Sequence, residues 1–174
     1  QLGVARKSMV LNDEDKKIIA YHEAGHALVA YFSKYADPVH KITIVPRGMA
    51  LGVTAQLPEN DKFNYSKNYL ISKLNVLMGG RCAEKIIFSD TTTGAGNDIL
   101  VATDIAKKMV CEWGMSDKIG PLTFGKKNEE VFLGREISYP KEFSNDISKI
   151  IDEEITTFVK NAEKFASDVL KKNI

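Results

Sequence analysis

The sequence predicts a mainly α fold with one small β-hairpin beside the first helix. Three observations carry this. Four segments place apolar residues three and four positions apart, as a helix burying one face requires. Only one pair of short runs alternates with the period of a strand. Hydrophobic residues make up 44% and charged residues 27% of 174 positions, enough apolar surface for a folded core.

The elements follow in order. Residues 1–11 show no periodicity and are expected to be a linker from an upstream module; the chain opens on Gln1, as an excised piece of something longer would. Asn12 then supplies an N-cap, and Asp13, Glu14 and Asp15 suit the positive end of a helix dipole. The helix is expected from Asp13 to about Tyr35, with Ile18, His22, Gly25, His26 and Val29 on one face and Pro38 closing the stretch. His40 to Val45 and Leu51 to Leu57 read as a hairpin joined through Pro46-Arg47-Gly48, with Ile42 and Ile44 forming its apolar face. Asn60 to Asn64 is a polar loop. Ser66 to Phe88 is a second helix through Leu70, Leu74, Leu77 and Met78, and Gly79-Gly80 inside it allows a kink or a close helix contact. A small-residue loop, Thr91 to Gly96, leads into a third helix striped by Ile99, Ala102, Ala106, Met109, Val110 and Trp113 and stopped by Gly114. Gly120 to Tyr139 is irregular. From Pro140 to about Lys172 a long amphipathic helix is marked by Ile147, Ile151, Ile155, Phe158, Ala162, Phe165 and Val169.

Charge excludes some functions. Lys plus Arg is 24 and Asp plus Glu is 23, a net +1, so nothing favours nucleic acid or acidic membranes through bulk charge. No apolar run reaches the ~18 residues of a membrane span, and no signal peptide opens the chain. Two cysteines, Cys82 and Cys111, lack both a disulfide framework and zinc-finger spacing, which makes a reducing compartment the default.

The chemistry concentrates in His22-Glu23-Ala24-Gly25-His26. Side chains four apart on a helix share a face, with Cβ atoms ~5–6 Å apart. Both imidazoles therefore reach one zinc at ~2.0–2.1 Å. Glu23 lies one residue on, beside the metal, where it can take a proton from an activated water. Metal-assisted hydrolysis, most often of a peptide bond, is the reading. Coincidence explains it poorly, because two of the chain's three histidines sit here on an otherwise apolar helix.

A catalytic zinc needs a third protein ligand and an open position. The metzincin extension is excluded, since Val29 and Phe32 stand where Gly and His would be needed. His40, Glu84, Asp98 and Asp104 remain. His40 reads as a strand-end polar residue and Asp104 as solvated. Asp98 could cap a helix. Spacing alone leaves Asp98 and Glu84 even.

Ala20-Tyr-His-Glu-Ala-Gly-His26 within Lys17–Tyr31 resembles the zinc helix of the FtsH peptidase family of membrane-bound AAA+ proteases. So do Gly79-Gly-Arg81 with Ala83-Glu84, Thr92-Thr-Gly-Ala-Gly-Asn-Asp98, Ala102-Thr103, and Trp113-Gly-Met-Ser116 with Gly120-Pro121. The resemblance implies a helical zincin-like metalloprotease domain over 12–174, its catalytic part 12–139 followed by the helix 140–174. It makes His22, His26 and Asp98 ligands of one zinc per chain and Glu23 the catalytic base. Glu84 becomes a neighbour able to hydrogen-bond a ligand histidine. Gly96 and Cys82 depart from the family pattern without touching a proposed ligand.

By the same resemblance the full-length protein carries an AAA+ ATPase module and a membrane anchor, works as a homo-hexamer, and acts on unfolded polypeptides or membrane proteins. It would sit in a bacterial inner membrane facing the cytoplasm, or an organelle equivalent. No Gly-Lys-Ser or Gly-Lys-Thr occurs here, so ATP would serve only the missing module and the fragment itself would be soluble. Ile42, Ile44 and Val53 are candidates for binding an extended substrate at the hairpin edge. The rival reading is a non-catalytic oligomerisation module with a structural zinc. Such a site is normally closed by four ligands, whereas three are counted here.

Overall fold

The computed structural model describes residues 11–45, 51–57, 63–124 and 144–173. Helix α1 spans Asp13–Phe32; strands β1 (Val39–Thr43) and β2 (Val53–Gln56) follow; then come α2 (Lys67–Phe88), a 3-10 turn (Thr93–Ala95), α3 (Gly96–Cys111) and α4 (Asn145–Asn173). The fold is mainly helical, with one two-stranded antiparallel sheet, as the periodicity predicts. The expected linker up to residue 10, the Pro46-Arg47-Gly48 turn, most of the loop before α2, and most of the irregular stretch with Pro140 lie outside the described residues.

The caps act as the sequence requires. Asn12 Oδ1 accepts from the Asp15 N–H at 2.7 Å, and Ser66 Oγ accepts from the Tyr69 N–H at 3.2 Å. Helix α1 stops at Phe32, earlier than Tyr35. Ser33 turns extended (φ −95°, ψ 111°), and its carbonyl accepts from the Ala36 N–H, so a tight turn ends the helix before Pro38 acts. That turn leaves Asp37 buried, where Tyr69 Oη donates to its carboxylate at 2.6 Å.

Helix α2 is central. Its Leu70, Leu74, Val76, Met78, Cys82 and Ala83 share one core with Val29 of α1, Ala102 and Met109 of α3, and Ala162, Ala166 and Leu170 of α4. Gly79-Gly80 serves close contact rather than a kink. A Cβ on Gly79 would lie 2.6 Å from the Gly25 carbonyl oxygen, so α1 and α2 touch backbone to backbone. α2 ends at Ser89 in the left-handed region (φ 56°, ψ 23°). That sharp reversal sends the small-residue loop back along the helix.

Three stripes shift from expectation. On α3, Ile99 and Trp113 are exposed while Ala102, Ile105, Ala106, Met109 and Val110 are buried. The helix ends at Cys111, short of Gly114, whose positive φ (59°) serves the turn that follows. On α4, Ala166 and Leu170 are buried and Phe165 is exposed. Alanines at 162 and 166 let the helix approach α2 more closely than phenylalanine would. In the hairpin, Ile42 is 49% and Ile44 36% exposed, so its apolar face is not covered. Two strands of five and four residues are too small to close over that face.

Candidate metal centre

One turn of α1 places His22 and His26 on the face turned toward α2 and the start of α3. Both are buried, at 9% and 8% exposure. Their Nε2 atoms lie 3.0 Å apart, and Asp98 Oδ2 lies 3.2 Å from each. The other ring nitrogens are tied back. His26 Nδ1 is 2.7 Å from the Val76 carbonyl, which can only accept, so Nδ1 carries the hydrogen. His22 Nδ1 donates to Glu84 Oε1 at 2.6 Å. Each imidazole therefore turns its Nε2 lone pair inward.

Two lone pairs and a carboxylate converging within 3.2 Å repel one another unless a cation joins them. A proton or a metal ion fills that role, and the N, N, O donor set suits zinc. The charges of the protein groups show the same demand. Burial opposes charging His22, yet the Asp98 and Glu84 carboxylates raise its pKa above the ordinary histidine value. Burial likewise opposes ionising Asp98, but its hydrogen bonds to the two histidines hold it down at about 2. Among the described residues, His22, His26 and Asp98 are the group of three donors close enough to hold one ion.

The candidates left open by spacing now separate. Asp98 lies in the first turn of α3, where Ala95 is the N-cap and makes no side-chain cap bond, so Asp98 is not a capping residue. Glu84 is 1% exposed; Oε1 meets His22, and Oε2 accepts from the Thr92 N–H at 2.6 Å. It thus links the histidine to the loop that leads to Asp98. His40 is exposed on β1. Asp104 pairs with Lys108 at 2.7 Å on the outer face of α3.

Glu23 is buried at the wall of the same cleft, about 850 Å³, which is also lined by Ile19, Val53, Thr54, Leu77 and Asp98. Thr54 Oγ1 donates to Glu23 Oε2 at 2.6 Å. Val53 lies at this cleft, whereas Ile42 lines a separate groove on the far side of α1, and Ile44 borders neither.

Sequence reasoning missed Thr54, the Val76 carbonyl, the Thr92 N–H, and the space supplied by Gly52 and Gly80. A Cβ on Gly80 would stand 2.5 Å from His22 Nε2, and one on Gly52 2.7 Å from Glu23 Oε1. The Gly79-Gly80 pair was the one signal that could have pointed to a helix pressed against the histidines.

A helical domain that turns two histidines of one helix and an aspartate of another onto a single point, with a glutamate on the adjoining wall, falls in the metallopeptidase class. The model of peptidase family M41 matches residues 9–174, and the chain belongs to that family. It is 55% identical over 172 residues to an ATP-dependent zinc metalloprotease FtsH of Acidobacterium capsulatum, covering 99% of this chain and 27% of the relative. A protein of the same name from Endomicrobium trichonymphae is also 55% identical over 172 residues, with the same coverage. Another from Thermotoga maritima is 49% identical over 171 residues, covering 98% of this chain and 28% of the relative. The chain thus spans about a quarter of the length of these curated relatives. None of its described helices is long and apolar enough to cross a membrane.

Proposed function

We propose that residues 12–174 are the zinc-dependent endopeptidase part of a longer ATP-dependent protease, with His22, His26 and Asp98 holding one zinc and Glu23 as general base. The observation that carries this reading is the convergence of two imidazole lone pairs and one carboxylate beside a buried glutamate in an open cleft. Zinc held by His22, His26 and Asp98 would supply Lewis-acid polarisation of a peptide carbonyl and would lower the pKa of water towards ~7. Glu84 and the Val76 carbonyl fix the two ring orientations. Glu23 accepts a proton from the attacking water and returns it to the leaving amine. The edge of β2, with Gly52, Val53 and Thr54 on the cleft, offers main-chain groups to an extended peptide. Affinity from backbone pairing tolerates many side chains, which suits unfolded polypeptide and membrane-protein substrates.

The names of the relatives support an ATPase module elsewhere in the full-length protein. Unfolding a substrate works against ~5–15 kcal/mol of stability, whereas cleaving a loose chain needs only the centre and its cleft. Assembly as a homo-hexamer on a membrane-anchored AAA+ ring would concentrate such centres without entering the bond-breaking chemistry.

The test is casein digestion by zinc-loaded protein without ATP. Wild type is expected to cut casein, to stop on chelation, and to leave stably folded proteins intact. Glu23→Gln is expected to keep one zinc per chain and the fold while losing hydrolysis by ~100-fold or more, the scale of general-base catalysis. Substantial proteolysis by Glu23→Gln would refute the assignment.

A further inference from the structure

Glu23 is 7% exposed, and a carboxylate so placed needs its charge met by a hydrogen-bond donor. Among the described residues, the donor is one hydroxyl. Thr54 Oγ1 stands 2.6 Å from Glu23 Oε2, a short O–H···O hydrogen bond. The same hydroxyl lies 3.0 Å from the Glu23 main-chain carbonyl, so it spans the residue from backbone to carboxylate.

Two positions before Thr54, just ahead of β2, Gly52 leaves the space in which the carboxylate lies. An added Cβ there would stand 2.7 Å from Oε1 and 2.8 Å from Cγ. Oε2 is tied and Oε1 is left without a hydrogen-bond partner among the described residues. Threonine suits the task, because β-branching leaves its χ1 stiff, so the hydroxyl is aimed by the strand itself.

We propose that Thr54 is the positioning residue for Glu23, holding Oε2 so that Oε1 is the oxygen presented for proton transfer, and that it thereby makes β2 and the base one rigid unit. This rests on the reading of Glu23 as general base and deepens it. Strand β2 is also the strand whose edge lies on the cleft. A peptide paired with that edge is therefore held at a fixed offset from Glu23, since one strand registers the substrate and anchors the carboxylate. Alignment of the reacting groups is where this contact acts. A misplacement of ~1 Å can cost ~100-fold in rate.

Thr54→Val keeps the shape and removes the hydroxyl, and Thr54→Ser keeps the hydroxyl. Both are compared with wild type as the zinc-loaded chain on an unfolded fluorogenic peptide. Thr54→Val is expected to lose ~10–100-fold in kcat with KM within about twofold. Zinc stoichiometry should be unchanged, and Thr54→Ser should recover most of kcat. A second readout needs no turnover. In metal-free, carbon-13-labelled protein, the Glu23 carboxylate resonance, assigned by its loss in Glu23→Gln, should move in Thr54→Val and stay in Thr54→Ser.

A folded Thr54→Val with kcat within twofold of wild type, or an unmoved resonance, overturns the proposal. So does a folded, zinc-loaded Thr54→Ser with kcat reduced more than ~10-fold, and this arm stands even if the valine variant does not fold. Glu23→Gln separates the two failures. If it remains active, the general-base reading itself is wrong. If it is inactive while Thr54→Val is not, only the positioning role is lost.

Discussion

Of the glutamates buried among the described residues, Glu84 and Glu154 end on different partners. Glu84 on α2 is 1% exposed and joins His22 Nδ1 to the Thr92 N–H. Glu154 on α4 is 8% exposed, accepts from Ser116 Oγ at 2.7 Å, and pairs with Lys118 at 2.9 Å. Both satisfy their oxygens, and both clamp a loop to a helix. The chain of contacts from Glu84 runs inward to a histidine whose other nitrogen faces a metal-type cluster. The chain from Glu154 runs outward to a lysine that is 60% exposed. Burial of a carboxylate therefore identifies no function. The group at the far end of its hydrogen bonds does.

The comparison breaks most visibly at the donor itself. Asp98→Ala removes one of three donors and is expected to abolish stoichiometric zinc binding, read by metal analysis of the purified protein. Retention of one tightly held zinc would move the third ligand to another carboxylate, Glu84 first.

Next is Glu84→Ala, which leaves the donors in place but frees the His22 ring. Zinc affinity is expected to fall ~10–100-fold, the usual cost of losing a partner to a ligand histidine. Competition with a chelator measures it. An effect as large as that of Asp98→Ala would erase the distinction between ligand and supporting residue.

Glu154→Ala gives the contrast. It takes away the acceptor of the Ser116 hydroxyl hydrogen and is expected to cost about 1–3 kcal/mol of stability, lowering the unfolding midpoint by ~2–4 °C per kcal/mol in a chain of this size. Zinc affinity should be unchanged. A coupled loss of zinc would show that the α3–α4 corner supports the centre after all.

The smallest effect concerns acid. Burial works against the Glu154 charge, but its bonds to Lys118 and Ser116 hold its pKa below the ordinary glutamate value of 4.5. A carboxyl lowered on folding stabilises the native state above its unfolded pKa and loses that contribution as pH falls through the folded value. The stability gap between wild type and Glu154→Ala should thus be full at neutral pH and shrink below about pH 4.5. A gap that persisted in acid would assign the effect to packing rather than charge.

The sequence alone determined what a single helix determines. Asn12 and Ser66 are caps because an N-cap bond spans three residues, and His22, Glu23 and His26 share a turn because the helical period places them there. The helix and the shared turn of these three side chains were legible for that reason. Resemblance named Asp98 as the third donor, but periodicity could not separate it from Glu84. Asp98 is 76 residues from His22 and Glu84 is 62, and no local rule sets such distances. Close backbone contact between Gly25 and Gly79 brings α2 against α1, and the left-handed Ser89 returns the loop so that Thr92 meets Glu84. Only that packing decides which carboxylate meets the two Nε2 atoms and which stands behind the His22 ring. The hairpin follows the same division. Alternation marked its strands, but an apolar face is buried only where another layer covers it, and Ile42 and Ile44 remain exposed. Thr54 gave no signal at all, because a threonine in a strand is ordinary until a carboxylate from another element lies 2.6 Å from its hydroxyl.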